Sequence, residues 1–306
     1  MINRRITEFL KIPESIRIPY FGGKWYRYIE GVENKSILHE IIPGKPLNTE
    51  KRTETIIASL TSFPARIATV HLAIKSLMLQ SYKPDRIILW LANEQFPDHV
   101  LPENLTQLER YGLEIKWCDD LCGHKKYYYC IKEQKENEVV ITFDDDIIYP
   151  IDAIRRLMKT HEKYPGCLVC ERAQSVPNSK KISYNVGRWD TISDVALKKP
   201  SYSVCPSTGG GYLIPYNSYH IKMLDKDLIK EYALRNDDMW CMFMAAENKV
   251  KFIKTRKYHK IFSIIQGSQT ESLAMTNILQ NESQNDFVKL KECYPDAYRR
   301  IFSDRD

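Results

Sequence analysis

The chain has 306 residues, with 45 Lys and Arg against 39 Asp and Glu, a formal net charge of +6, 43% hydrophobic and 27% charged residues. Those values describe an ordinary globular protein with enough chain for a sizeable core, and they exclude fibrous, low-complexity and highly charged disordered classes. The modest positive charge is scattered, which suits anionic ligands and argues against a nucleic-acid partner, and no apolar run approaches the length of a bilayer span.

Residues 1–53 read as an N-terminal extension. Met1 to Ile12 alternates charged and apolar residues without the apolar centre of a signal peptide, so a cytoplasmic protein is expected. Tyr20 to Tyr28 mixes aromatic with basic residues, as does Tyr298 to Phe302 near the other end. That mixture motivates an expectation of peripheral contact with the inner membrane face, with packing of the same aromatics on the domain as the alternative.

From Ile56 the pattern changes. Ile56 to Leu60 is a buried strand, and Pro64 opens a helical pattern with Ile67, Val70, Ile74, Leu77 and Met78 on one face. Arg86 to Leu91 is a second strand, Leu101, Leu105 and Leu108 mark a short helix, and Leu113 to Trp117 is a third strand. A helix over Lys125 to Lys135, a fourth strand over Val139 to Phe143 and a helix lined by Ile151, Ile154, Leu157 and Met158 follow. Strands alternating with helices predict an α/β fold with a mostly parallel, Rossmann-type sheet, because parallel neighbours need crossover connections. Residues 54–172 are thus expected to form a nucleotide-binding half. The regularity fades beyond Cys170 and resumes with helices over Met223 to Leu234 and Met239 to Glu247 and a strand over Val250 to Lys254. Residues 173–306 are expected to shape the substrate side of one continuous fold.

The eight cysteines give no framework: Cys167 and Cys170 have zinc-like spacing but lie in a strand-like run, where residues three apart point to opposite faces. Reduced, partly buried thiols are expected.

The chemistry concentrates where the fourth strand ends in Asp144-Asp145-Asp146. Three carboxylates side by side repel unless solvated or joined by a cation, and their hard oxygens suit Mg²⁺ or Mn²⁺. An acidic turn closing a strand is the alternative. By strand alternation Asp144 and Asp146 share a face and Asp145 points away. Asn236-Asp237-Asp238 precedes an apolar helical run and has the ordinary explanation of an acidic helix start. Ser207 to Tyr212, with three glycines, reads as backbone freedom beside a ligand or as a flexible turn. Trp189 and Tyr212 could stack on a ligand, whereas Trp240 at helical spacing reads as core.

Together, the opening strand with its Thr61-Ser62-Phe63-Pro64-Ala65-Arg66 turn, Asp144-Asp145-Asp146, Gly209-Gly210-Gly211 and Asn236-Asp237-Asp238 resemble a GT-A-type glycosyltransferase over roughly residues 55 to 260. The resemblance is to bacterial family-2-like enzymes of surface-polysaccharide assembly, with an aspartate run similar to exostosin-type transferases. It implies transfer of a sugar from a nucleotide diphosphate, UDP favoured, to a glycan or lipid-linked glycan acceptor. It further implies Asp146 as metal ligand for Mn²⁺ or Mg²⁺, Asp144 facing ribose or donor sugar, and Asp145 assisting. His259 is the positional counterpart of a C-terminal metal histidine, with a surface histidine as the alternative and His124 as a competitor. Thr61, Ser62, Pro64 and Arg66 would meet base and ribose, with Asn93, Asp119 and Asp120 at the next strand ends. In Gly123-His124-Lys125-Lys126 a lysine, Lys125 first, would neutralise a phosphate. The family pattern makes Asp238 the general base of an inverting transfer and Asp237 its orienting partner. The family often has Glu before this Asp, so the division of roles within the pair stays open.

Three other classes compete. A sugar-nucleotide pyrophosphorylase would place a Gly-rich loop after the first strand, yet Thr61 to Arg66 has no glycine. A metal-dependent phosphohydrolase would need more clustered ligands than seven dispersed histidines suggest. A non-enzymatic binding module would keep only the sheet.

Overall fold

The computed structural model describes residues 42, 44–176, 199–255, 263–268 and 282–303. Most of the 1–53 extension, with Tyr20 to Tyr28, and both Trp189 and His259 lie outside the described residues.

Strand β1 (Thr55–Thr61), helix α1 (Val70–Met78), strand β2 (Arg86–Ala92), the short helix α2 (Glu103–Thr106), strand β3 (Leu113–Cys118), helix α3 (Lys125–Glu133) and strand β4 (Glu138–Phe143) follow in the predicted order. Helix α1 starts at Val70 rather than Pro64, because Pro64 to Thr69 is spent on successive turns: Arg66 N donates to Phe63 O (3.0 Å) and Val70 N to Arg66 O (3.1 Å). Next come β5 (Ile147–Ile148), α4 (Ala153–Lys163), β6 (Leu168–Cys170), β7 (Ala173–Ser175), β8 (Val204–Pro206), β9 (Gly210–Pro215), α5 (Lys226–Tyr232) and α6 (Asp237–Glu247). Strands β10 (Phe252–Lys254) and β11 (Ser263–Ile264) and helices α7 (Glu282–Cys293) and α8 (Pro295–Ser303) complete the described elements.

Seven strands form one sheet in the order β3-β2-β1-β4-β9-β6-β10. All pair in parallel except β9, which is antiparallel to both β4 and β6. The chain therefore winds outward from β1 to β3 and then returns to the other side of β1. In an open α/β sheet this reversal opens a crevice between the carboxyl ends of the two central strands, here β1 and β4, where ligands bind.

Side chains alternate across the sheet as strand geometry requires. Ile56, Ala58 and Leu60 of β1 and Val139, Ile141 and Phe143 of β4 join Val70, Ile74 and Leu77 of α1 and Ile154 and Leu157 of α4 in one core. Ile57 and Val140 face the opposite core, with Tyr127 and Ile131 of α3, Trp240 and Phe243 of α6, and Phe287 and Ile301 of α7 and α8. Each such aliphatic side chain stabilises the fold by roughly 1.5–3 kcal/mol when fully buried. Met239 to Ala246 are buried on every side of α6, so this helix is an internal element and Trp240 is core.

Three expectations are corrected. The glycine-rich stretch is no flexible turn: Gly210 to Pro215 are all buried in the middle of the sheet. Tyr212 is accordingly 1% exposed and is no platform for a sugar. Strand β4 ends at Phe143, so the three aspartates lie in a turn and strand alternation does not govern them.

In the C-terminal helices Tyr298 and Phe302 pack on Phe287, with ring centroids 6.2 and 6.0 Å away, and Ile301 is buried. These tail aromatics are turned to the domain. No helix among the described residues is long and apolar enough to cross a membrane.

Candidate active site

The sheet brings separate segments to one edge. The carboxyl ends of β1, β2, β3, β4, β6 and β10 share that edge with the start of antiparallel β9, so the 62–66 turn, Asn93, Asp119, Asp120, Asp144 to Asp146 and Gly209 emerge together. Helices α3 and α6 begin near the same place, since Lys126 of α3 touches Asp144 and Asp237 of α6.

Each aspartate has its own partners. Asp145, 5% exposed, accepts from Ser62 Oγ (2.6 Å) and from Arg66 Nη1 (2.7 Å). Arg66 Nη1 also lies 3.0 Å from Asp146 Oδ2, and its Nε donates to Ser268 O at 2.9 Å. Burial raises the Asp145 pKa while Arg66 opposes the rise. Burial likewise works against the charge on Arg66, but Asp145 and Asp146 prevail and its pKa is raised. Asp146 accepts at its backbone oxygen from Ile265 N (2.8 Å), which docks the β11 segment beside it.

Asp144 points elsewhere. Its Oδ1 accepts from Lys126 Nζ at 2.8 Å, and its carboxylate rests against Gly209, where a β-carbon would stand 1.7 Å away. The Asp144 N–H lies 3.0 Å from Gly209 O and 2.7 Å from the Tyr149 hydroxyl. Tyr149 in turn donates to Gly209 O, fixing the β4 turn against the start of β9.

Lys126 Nζ is also 3.0 Å from Asp237 Oδ2. Its backbone oxygen accepts from Ser59 Oγ (2.5 Å), which locks the start of α3 onto β1. Thr208 joins the acidic pair: its hydroxyl lies 2.6 Å from Asp237 Oδ2 and 2.7 Å from Asp238 Oδ1, and its N–H donates to Asp238 Oδ1 at 2.8 Å. One hydroxyl hydrogen serves one carboxylate at a time, so the geometry suits a pair of which one member holds a proton. Burial works against charge on Asp237, but Lys126 and its other partners prevail and lower its pKa. Burial and then the neighbouring Asp237 raise that of Asp238. Asn236 holds the helix start from outside, donating from Nδ2 to Asp286 and accepting from Ser283 Oγ (2.8 Å).

The remaining predicted residues fall into place differently. Lys125 is paired with Asp120, and Asp119 with Lys226, so the lysine that enters the acid cluster is Lys126 and not Lys125. Adjacent lysines at a helix start point about 100° apart, which residue order alone does not resolve. Thr61 Oγ1 donates to Trp90 O (2.8 Å), and Arg66 and Ser62 are committed to the aspartates, so these three shape the turn through internal bonds. Pro64 is exposed at its rim. Asn93 Nδ2 donates to Cys118 O (3.3 Å) and its Oδ1 meets His99, which stacks on Trp117 at 3.8 Å. His124 is no metal ligand: it is fully buried, its Nε2 donates to Ala233 O (2.8 Å), its Nδ1 meets the Tyr127 hydroxyl, and burial lowers its pKa. Lys126, Thr208 and Asp286 were missed as site residues; Lys126 and Thr208 stood in singled-out motifs, whereas Asp286 gave no signal.

The donor set fits a particular kind of cation. Among the described residues no group of three or more His, Cys, Asp or Glu converges on one point, so no cage of protein ligands exists there. Asp144, with its side chain 34% exposed, offers hard oxygens at the rim, and Asp146, its side chain 13% exposed and against Arg66, offers them just beneath. That suits an ion of the Mg²⁺ or Mn²⁺ type, which keeps water and takes phosphate oxygens as its other ligands.

No family model matches the chain, and no curated protein matches it either. The solved structures similar to it include a mannosyltransferase from Pyrobaculum calidifontis in complex with GDP-Man and Mn²⁺, at 12% identity and a TM-score of 0.47, covering 88% of this chain and 75% of that one. Another is 4-diphosphocytidyl-2C-methyl-D-erythritol synthase from Anaerococcus prevotii, at 13% identity and a TM-score of 0.42, covering 78% and 97%. A third is glucosyl-3-phosphoglycerate synthase from Mycobacterium tuberculosis with Mn²⁺, UDP-glucose and glycerol 3-phosphate, at 12% identity and a TM-score of 0.42, covering 79% and 80%.

Proposed function

We propose that this protein is a metal-assisted glycosyltransferase, moving a sugar from a nucleotide diphosphate, UDP for preference, to a glycan or lipid-linked glycan acceptor with inversion at the anomeric carbon. The observation that carries this reading is the meeting of two acidic motifs at the sheet's reversal point, Asp144 to Asp146 on one side and Asp237 and Asp238 on the other, joined by Lys126 and Thr208. A transferase needs two such sides, one for a leaving diphosphate and one for an attacking hydroxyl.

Asp146, with Asp144, would hold Mn²⁺ or Mg²⁺, and a bound ion supplies Lewis-acid stabilisation of the charge that develops on the departing diphosphate. The chain's own residues do the rest. The backbone at Gly209, without a side chain, lets Asp144 lie where ribose or donor sugar approaches. Asp238 accepts the proton of the acceptor hydroxyl as its oxygen bonds to the anomeric carbon; the carbon–oxygen bond to the diphosphate breaks and its electron pair leaves with that oxygen. Asp237 stays ionised beside Lys126 and orients the pair.

The phosphohydrolase alternative draws no support from the described residues, which form no metal cage. The pyrophosphorylase alternative lacks its glycine loop, and the β1 turn is instead closed by Arg66 on Asp145.

A thermal-shift screen of UDP, GDP and ADP with and without Mn²⁺ tests the donor side. A ligand present at ~100 times its dissociation constant stabilises by about 2.7 kcal/mol. Slow donor hydrolysis to free nucleotide diphosphate, abolished by EDTA and by Asp146→Ala, is the expected activity. Full hydrolysis in EDTA would remove the metal from the reading, and stabilisation by no nucleotide diphosphate would remove the donor.

A further inference from the structure

Lys126 is placed unlike a surface lysine. Its side chain is 7% exposed, and its ammonium contacts Asp144 at 2.8 Å and Asp237 at 3.0 Å. Glycines back both carboxylates: a β-carbon on Gly209 would stand 1.7 Å from that of Asp144, and one on Gly123 would stand 3.0 Å from that of Asp237. The bond from Ser59 to the Lys126 backbone oxygen fixes where the side chain starts. The lysine is therefore built between the two acidic motifs.

An ammonium is a compact point charge with three donors, two of them directed here at carboxylates from different motifs. A dication approaching Asp144 and Asp146 meets Lys126 already on the first and Arg66 already on the second. Both cations oppose it until further negative charge arrives. A nucleotide diphosphate brings that charge. We propose that Lys126 is a positioning residue, a built-in counter-cation shared by Asp144 and Asp237 that weakens a divalent cation's hold on the acids alone and so makes cation binding depend on the diphosphate. The proposal rests on the donor-side reading above and adds to it a residue and an order of binding.

The test is Mn²⁺ binding followed by electron paramagnetic resonance, with and without UDP, on wild type, Lys126→Gln and Lys126→Arg, alongside melting curves. Wild type binds Mn²⁺ alone weakly and gains affinity with UDP. Removing one positive charge beside a dication is worth about tenfold even when screened as in water. Lys126→Gln thus binds Mn²⁺ alone about tenfold more tightly, its gain on adding UDP shrinks, and Lys126→Arg stays near wild type. A lysine with only a structural role would give unchanged or weaker Mn²⁺ binding in Lys126→Gln, and that result overturns the proposal. Should Lys126→Gln not fold, Asp237→Asn supplies the opposite test: the lysine stays with one carboxylate fewer to share it, and Mn²⁺ alone binds more weakly, unchanged binding again counting against the idea. Failure of UDP and GDP alike to strengthen Mn²⁺ binding in wild type overturns the donor-side reading instead.

Discussion

The Asp144 carboxylate lies in the space that a side chain on Gly209 would occupy, with 1.7 Å between its atoms and the position of a β-carbon there. Gly209→Ala must therefore rotate Asp144 away from Lys126. Gly209 does not have a left-handed backbone, and the displaced atoms end a side chain, so the fold should persist. The expected outcome is a melting temperature close to wild type with affinity for UDP and Mn²⁺ reduced at least about tenfold, the value of one lost charge-assisted contact. Gly211→Ala is the control: its φ of +89° strains any other residue by roughly 1–2 kcal/mol, so it should lower stability. Wild-type nucleotide affinity in Gly209→Ala would show that Asp144 does not contact the donor.

Arg66 is the counter-charge of a buried carboxylate, since the side chains of Arg66 and Asp145 are 11% and 6% exposed. Breaking a buried pair by removing one partner typically costs about 3–5 kcal/mol. Arg66→Ala should lose stability of that order in urea denaturation, and Arg66→Lys should recover only part, because a lysine cannot reproduce the bonds to Asp145, Asp146 and Ser268 together. A loss below about 1 kcal/mol in Arg66→Ala would mean that Asp145 protonates at little cost.

How far the site could be read in advance depended on the kind of signal. Strands β1, β2 and β4 are dominated by buried apolar residues, broken only by the small polar Ser59 and Thr142, and such runs mark themselves. Strand β9 is hidden in the sequence because its glycines imitate a turn; Gly210 and Gly211 are there because Arg172 and Glu171 crowd that backbone. The two acidic motifs were legible as motifs, and their meeting was not, because contact through Lys126 depends on strand order and on which of two adjacent lysines turns inward. The turn after β1 makes Arg66 look like a ligand for base or ribose, whereas its side chain contacts Asp145 and Asp146.

Asp286 had no motif to announce it. It stands on α7 and receives the Nδ2 donor of Asn236, the residue that starts the helix carrying Asp237 and Asp238. Asn236 is 8% exposed, so this partner supplies a charge-assisted bond to a buried side chain. A hydrogen bond to a charged group contributes about 1.5–3 kcal/mol. Asp286→Ala should lower stability by that amount and reduce turnover more than donor affinity, since the bond it removes holds the start of the helix that carries the acceptor-side pair. Equal losses in kcat and in donor affinity would argue for general unfolding instead.

Asp238 links activity and stability to pH in opposite senses. Burial and the adjacent Asp237 push its carboxyl up to about 7 from 3.8. A general base must be ionised, so the rate should rise as pH increases through about 7 and fall away below it. For stability the native state binds this proton more tightly than the unfolded chain does. Between about pH 4 and pH 7 the native state therefore carries the extra proton, so the associated stability, full below about pH 4, is lost progressively as pH rises to about 7 and the curve is level above it. Asp238→Asn keeps an oxygen for the Thr208 N–H but never ionises. It should turn over ~10²–10⁴ times more slowly, gain stability over wild type at pH 8, and lose most of that gain at pH 5. Paired pH–rate and urea-denaturation series on wild type and variant measure both effects, and the anomeric configuration of the product by NMR checks the inversion that an acceptor-side base implies. A wild-type rate flat between pH 5.5 and 8, in a variant pair with parallel stability curves, would remove Asp238 from the role of base.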